Sequence, residues 1–262
     1  MFQHLKAVWT FRHFWMSLVR MDLRQRYRRS FLGIGWSLLH PLAMTAVYCL
    51  VFSSLMGNGD WRTYSMHVLS GMAVWEFIRN STSQGCIAFL RNESYMRQCP
   101  LPCGIYPLRT VMGTAIHFLI SLFVVVSLIA LLQGQARVFT VLWSVIPALI
   151  LLFLFSWALA TLAAFATVYF HDTQHLVEVG SQFCFFLTPI IYTSDLLVQK
   201  NLGWVADLNP VNVFLQLIRT PLISGELPSG TLYLQGCAIT AAAVGLAFGT
   251  IGWLQKKLIF QL

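Results

Sequence analysis

The amino-acid sequence predicts an all-α, polytopic membrane protein, and three observations carry that prediction. Hydrophobic residues make up 57% of the 262-residue chain and Asp, Glu, Lys and Arg only 10%, against about 25% charged in an ordinary soluble domain. Six apolar stretches are each long enough to cross a bilayer, which takes about 20 helical residues. The basic residues, finally, are distributed unevenly along the chain. A net charge of +8 would by itself admit a nucleic-acid partner, but Lys and Arg gather at the two ends and around one loop, which is a signal of membrane orientation. No nucleic acid is therefore expected. The length suits one membrane domain over 1–262 and leaves no room for a separate soluble catalytic domain.

The first element, residues 1–29, reads as an amphipathic helix. Lys6, Thr10, His13, Ser17, Arg20 and Arg24 recur on one face, and Val8, Phe11, Trp15, Leu18 and Val19 on the other, with Arg12 and Asp22 interrupting the apolar side. Such a helix lies in the membrane surface, where Trp9 and Trp15 fit the interface; a soluble surface helix is the other reading. Lys, Arg and His interrupt the first thirty residues throughout, so no cleavable signal peptide is expected.

Six spanning segments follow at about 35–56, 65–89, 108–132, 140–169, 175–193 and 231–254. The fourth is long enough to tilt and the fifth is near the minimum. Thirteen basic residues fall in 1–29, 79–109 and the C-terminus, against four (Arg62, Arg137, Lys200, Arg219) in the alternate connections. That bias places both termini in the cytoplasm. Residues 91–107 then form a cytoplasmic segment with one short helix ending at Pro100. In the longest external connection, 194–230, Asn209 and Pro210 read as an N-cap and first helical residue. Val213, Phe214, Leu217 and Ile218 give that helix one apolar face, suited to dipping into the outer leaflet until Gly225 and Pro228 end it. The last segment carries Gly245-x-x-x-Gly249, which admits close approach of a helix from this chain or from a second subunit.

Chemistry-bearing residues are sparse. The six cysteines are scattered, and only Cys99 and Cys103 are near enough for a disulfide or metal; small buried apolar residues are the reading preferred for all six. Glu76 and Arg79 can pair on one helix face, as a structural pair or as the polar lining of a path. His117 reads as a hydrogen-bonded interior histidine. His171, Asp172 and His175 have a spacing that admits a metal, but in so tight a turn Asp172 is expected to cap the next helix. The only lysines are Lys6, Lys200, Lys256 and Lys257, and none follows a glycine. A phosphate-binding loop is thus missing, no cofactor is expected on this chain, and ATP would have to act on a partner. A transferase acting on polyprenyl-linked glycans would need a buried cluster of acids or histidines that the spanning segments lack.

The run Arg26-Tyr27-Arg28-Arg29-Ser30, followed by Leu32-Gly33, Trp36 and Pro41, resembles the opening signature of ABC-2-type permeases that export O-antigen, capsular polysaccharide or teichoic acid. Gly71-x-x-x-Trp75, the stretch from Pro102 to Arg109, Leu187-Thr188-Pro189-Ile190-Ile191-Tyr192 and Asn209-Pro210 follow in the family's order. One departure is His171, where relatives commonly place arginine before Asp172. The resemblance implies an N-terminal interface helix, six crossings, a cytoplasmic coupling helix, and outer-leaflet re-entrant helices before the last crossing, all in the bacterial inner membrane. It further implies a homodimer that works with two copies of an ATP-binding subunit carrying ATP and Mg. The cargo would be lipid-linked polysaccharide, with O-antigen the first reading and capsule or teichoic acid the alternatives.

By the same resemblance the first and fifth crossings line a channel. Here they supply Trp36, Tyr48 and Phe52, and Phe183, Phe185, Phe186 and Tyr192, whose flat faces suit a sliding glycan; core or lipid-facing packing is the competing role of each. Glu93, Tyr95, Met96 and Arg97 fall on the coupling helix that would meet the ATP-binding subunit. Arg24, Arg26, Arg28 and Arg29 are placed to contact anionic headgroups or the pyrophosphate of the lipid carrier, although orientation alone also demands charge there.

Overall fold

A computed structural model describes residues 10–27, 33–56, 60–98, 101–133 and 141–261. Among these residues every regular element is helical. In chain order they are α1 (Arg12–Tyr27), α2 (Trp36–Met56), α3 (Trp61–Cys86), the short α4 (Glu93–Gln98), α5 (Ile105–Gln133), α6 (Val145–Tyr169) and α7 (Thr173–Leu187). Then come α8 (Ser194–Gln199), α9 (Gly203–Leu208), α10 (Pro210–Arg219) and the 32-residue α11 (Gly230–Gln261). Among the described residues three helical stretches are long and apolar enough to cross a membrane unaided: Ile105–Leu131, Leu142–Tyr169 and Gly230–Gln255.

Several boundaries follow from local chemistry. Asp60 caps α3, accepting from the Arg62 amide at 3.0 Å and the Thr63 hydroxyl at 2.6 Å. Those bonds, the Thr63 hydroxyl foremost, hold its carboxyl below the usual carboxylate range. Asn209 caps α10 as the Asn-Pro pair predicts, its side-chain oxygen accepting from the Val211 amide at 2.9 Å. A π turn over Thr220–Ser224 extends α10 until Gly225 turns left-handed. The expected side-chain cap by Asp172 is not formed: the residue occupies the N-cap position of α7, but its carboxylate accepts no capping bond.

The fifth expected span, 175–193, is interrupted. Helix α7 stops at Leu187 after 15 residues, about 22 Å of rise against a hydrocarbon core of about 30 Å. Thr188 adopts extended backbone, the conformation that a following proline imposes, and Pro189 has no amide to continue the ladder. The last helix, by contrast, runs on past 254 to Gln261.

Helices α3 and α6 form the middle of the bundle, with α2 and α5 against α3, and α11 against α6. Their contact is close at Gly85: a Cβ there would lie 2.6 Å from the Cα of Ala160 and 2.8 Å from its carbonyl oxygen. Because backbone cannot step aside as a side-chain tip can, Gly85→Ala is expected to push α3 and α6 apart. Such overpacking costs about 1–3 kcal/mol, which thermal unfolding of the detergent-purified protein would register as a lower midpoint.

Helix α1 departs from the expectation of an apolar face given to lipid. Trp15, Leu18 and Val19 are buried, with Trp15 and Val19 packed on Ile105, Leu108, Met112 and Ile116 at the start of α5. Phe14, Met16 and Met21 on it, and Phe11 just before it, are exposed.

Candidate functional site

The predicted channel aromatics divide into groups. Tyr48 and Phe52 of α2 lie with ring centroids 6.3 Å apart, and Tyr48 reaches Phe185 of α7 at 6.5 Å. Phe185 also touches Phe186 at 5.4 Å and Trp75 of α3 at 5.7 Å. Trp75 was noted only as part of a motif, yet it joins the two helices expected to line a path. Phe183 and Phe186 point away from the protein and are exposed. Tyr192 lies beyond the break, its hydroxyl donating to the Phe186 carbonyl at 2.7 Å. Trp36 is not with the others; it stands in a separate cavity between α2, α3 and α5.

The break after α7 is held by Arg219, a residue that counted in the sequence only as an external basic charge. Its guanidinium is buried and donates to the carbonyls of Pro189 at 2.7 Å, His67 at 2.9 Å and Ile190 at 3.4 Å. Carbonyls that lose helical partners at a chain break need donors from elsewhere, and one side chain at the end of α10 supplies them across to α3. Gly71 makes room for it, since a Cβ there would fall 2.2 Å from Arg219 Nη2. Nearby, the Asn209 side-chain amide donates to Thr188 Oγ1 at 2.8 Å and to the Leu187 carbonyl at 3.3 Å. Asn209→Ala should remove both the cap, worth about 1 kcal/mol, and this tether. A lower unfolding midpoint than for Asn209→Asp, which keeps the cap, would separate the two contributions.

At the opposite end of α3, three segments meet at Arg109. Its Nε and Nη2 donate to the two carboxylate oxygens of Asp22, each at 2.6 Å, and its Nη1 to Asn92 Oδ1 at 2.6 Å. Asn92 in turn donates to the Ala88 carbonyl at 2.7 Å. Arg109 is only 5% exposed while Asp22 keeps 30%, so the guanidinium end of this forked pair is the one withdrawn from solvent. It joins α1, the segment before α4, and the first turn of α5. Neither Asp22 nor Asn92 was expected to matter, although Asp22 stood out as a charge on an apolar face.

Helix α4 is the short helix expected before Pro100. Glu93 and Arg97 pair with each other at 2.9 Å, and Tyr95 packs edge-on against Phe14 of α1 at 6.5 Å. Met96 is turned inward, 8% exposed, and anchors the helix. Arg24 is exposed; Arg28 and Arg29, and the side chain of Arg26, lie outside the described residues. So does Cys99, and Cys103 is a free thiol. Burial pushes the Cys103 thiol up to about 11. It should remain protonated at neutral pH and resist a charged maleimide until the protein is denatured, as mass spectrometry of labelled peptides would read.

Among known proteins, the family model described as ABC-2 type transporter matches residues 13–223. The chain belongs to the ABC-2 type transporter family. The matched stretch runs from α1 to the π turn after α10, so it contains both the Arg109 and the Arg219 clusters. Similarity to individual ABC-2 members is also extensive. Two proteins of Klebsiella pneumoniae, each named O-antigen export system permease protein RfbA, are 25% identical over 233 residues and 24% identical over 232. The alignments cover 88% and 87% of this chain and 88% of each relative. A Myxococcus xanthus protein of the same name is 28% identical over 215 residues, 80% of each chain. As an ABC-2 permease the chain is a multi-pass membrane protein of the bacterial inner membrane and works with an ATP-binding partner.

Proposed function

We propose that this chain is the permease subunit of an ATP-driven exporter of lipid-linked polysaccharide, with O-antigen as the cargo. The observation that carries the reading is the near end-to-end similarity to three permeases named for O-antigen export. In this reading 1–262 is one membrane domain. Helices α2, α3, α5, α6, α7 with its broken continuation, and α11 are six crossings with both termini cytoplasmic, as the basic residues favour. Helix α1 is the interface helix, α4 the coupling helix, and α8 to α10 the outer-leaflet elements.

The active unit is a homodimer with two ATP-binding subunits, which hold ATP and Mg. Uncovered surface supports the second copy. Helix α7 has no buried residue, although it carries Gln174, Glu178, Ser181 and Gln182 beside Phe183 and Phe186. A helix so mixed suits neither lipid nor its own chain, and a partner α7 with an aqueous path between satisfies both faces. On α2, Val47 and Leu50 are similarly uncovered, Leu50 at 85% exposure. The Tyr48, Phe52, Phe185 and Phe186 group, with Phe183 and Tyr192, lines that path, and the buried Trp75 backs Phe185.

Closure of the ATP-binding subunits pushes on α4 through Glu93, Tyr95 and Arg97, and Arg109 carries the movement to α1. The basic run at Arg24, Arg26, Arg28 and Arg29 meets the anionic head of the lipid carrier. Complementation tests the reading directly: in a host lacking its own O-antigen permease, co-expression with the cognate ATP-binding subunit should restore surface polysaccharide. Intracellular accumulation despite a co-purifying complex would overturn it.

A further inference from the structure

A second place with binding chemistry lies away from the α2–α7 aromatic group. Helices α2, α3 and α5 enclose a cavity of about 430 Å³, within the range of small-molecule sites. Its polar wall includes Trp36, His40, Glu76, Arg79, Asn80 and Ser121, with Thr114 and His117 beside them, and its apolar wall includes Phe77 and Phe118, whose rings stack at 4.8 Å. With α3 as one of the proposed crossings, Glu76 stands ten residues before its Cys86 end, about 15 Å along the helix and inside the bilayer. Ionisable residues at such depth are costly and mark functional positions by default.

The arrangement specifies what the cavity can hold. Glu76 Oε1 accepts from Arg79 Nη1 at 3.1 Å, and Oε2 accepts from Asn80 Nδ2 at 3.0 Å. With carboxylate and guanidinium already matched, a ligand of net charge would leave one of them opposed. A neutral ligand rich in hydroxyls would not. Each carboxylate oxygen keeps a further lone pair to accept from a hydroxyl, and Arg79 has donors beyond the one it gives Glu76. Trp36 is about half exposed, and its indole offers a flat face to the C–H side of a ring.

We infer that this cavity binds one sugar residue of the transported glycan, apart from the α2–α7 path; the inference rests on the proposed export of polysaccharide. Arg79 and Glu76 hold a pair of neighbouring hydroxyls, Asn80 fixes the carboxylate, and Trp36 carries the ring face. The site thus selects by sugar chemistry before the chain enters the path.

The test is photo-crosslinking in cells that make the lipid-linked polysaccharide, with the full transporter present. p-Benzoyl-phenylalanine is placed at position 40 or, separately, at 121, and at 246 on the exposed side of α11 as a control. Illumination should attach glycan at 40 and 121 but not at 246, seen as a polysaccharide-reactive ladder on the permease band. Asn80→Ala should weaken the ladder at least tenfold while the complex still assembles. Two positions are used so that failure of one to assemble leaves the other to decide. Phospholipid in place of glycan on the crosslinked peptide would overturn the inference, as would no adduct at either position in transporters that export normally. A wild-type chain that fails to restore surface polysaccharide would instead sink the export reading, and this inference with it.

Discussion

Arg219→Ala is expected to lower stability by about 3–5 kcal/mol, because three backbone carbonyls lose a charged donor, each such bond being worth about 1.5–3 kcal/mol and the three sharing one side chain. The carbonyls of Pro189 and Ile190 belong to the break after α7, and that of His67 to α3. No water reaches a buried site readily, so losing the donor leaves the Pro189 and Ile190 carbonyls against apolar surroundings, while that of His67 keeps the Ser70 hydroxyl at 3.0 Å. Arg219→Lys keeps the charge but offers one nitrogen where the fork uses two, and should recover only part of the loss. Gly71→Ala should resemble Arg219→Ala, since the new methyl would take the space of Nη2. Combined, the two substitutions should cost clearly less than their sum. Detergent heat challenge followed by size-exclusion recovery measures all four variants, and strict additivity would show that Gly71 and Arg219 act independently.

The second large effect is at Asp22. Asp22→Ala leaves the Arg109 guanidinium, 5% exposed, with Asn92 and no carboxylate. Stranding one partner of a buried pair costs about 3–5 kcal/mol. Arg109→Ala should be no more damaging, and the double variant should again cost less than the sum. Within the proposed exporter a sharper consequence follows: Asp22→Asn should preserve assembly better than Asp22→Ala, yet disconnect α1 from α4 and α5. ATP hydrolysis by the complex should then persist while surface polysaccharide falls by at least tenfold. Export in step with hydrolysis would remove Arg109 from the transmission of movement.

Both clusters left a trace in the sequence that went unused. Asp22 falls four residues after Leu18 and three after Val19, on the face that α1 buries, and Arg219 falls four after Leu215 on the buried face of α10. A charge on an apolar face signals a partner, but nothing local says where. Asp22 and Arg109 are 87 positions apart and Arg219 and His67 are 152, beyond any helical period. The inward turn of Met96 was hidden for a different reason: six residues of helix are too few to show which face is apolar.

The sequence by itself determined the helical class, the membrane as solvent, the Asn209 cap, a short helix before Pro100 and, through motif order, the ABC-2 resemblance. Composition, caps and spacing are local properties, and lipid makes them decisive by denying the backbone any partner except its own helix. Tertiary structure alone decided that α1 packs on α5 and that Trp36 stands apart from Tyr48. Only there do the two arginines become clamps. Burial and hydrogen bonding between distant segments settle such matters, because an unpaired charge or carbonyl in the interior is costly wherever its partner lies in the chain.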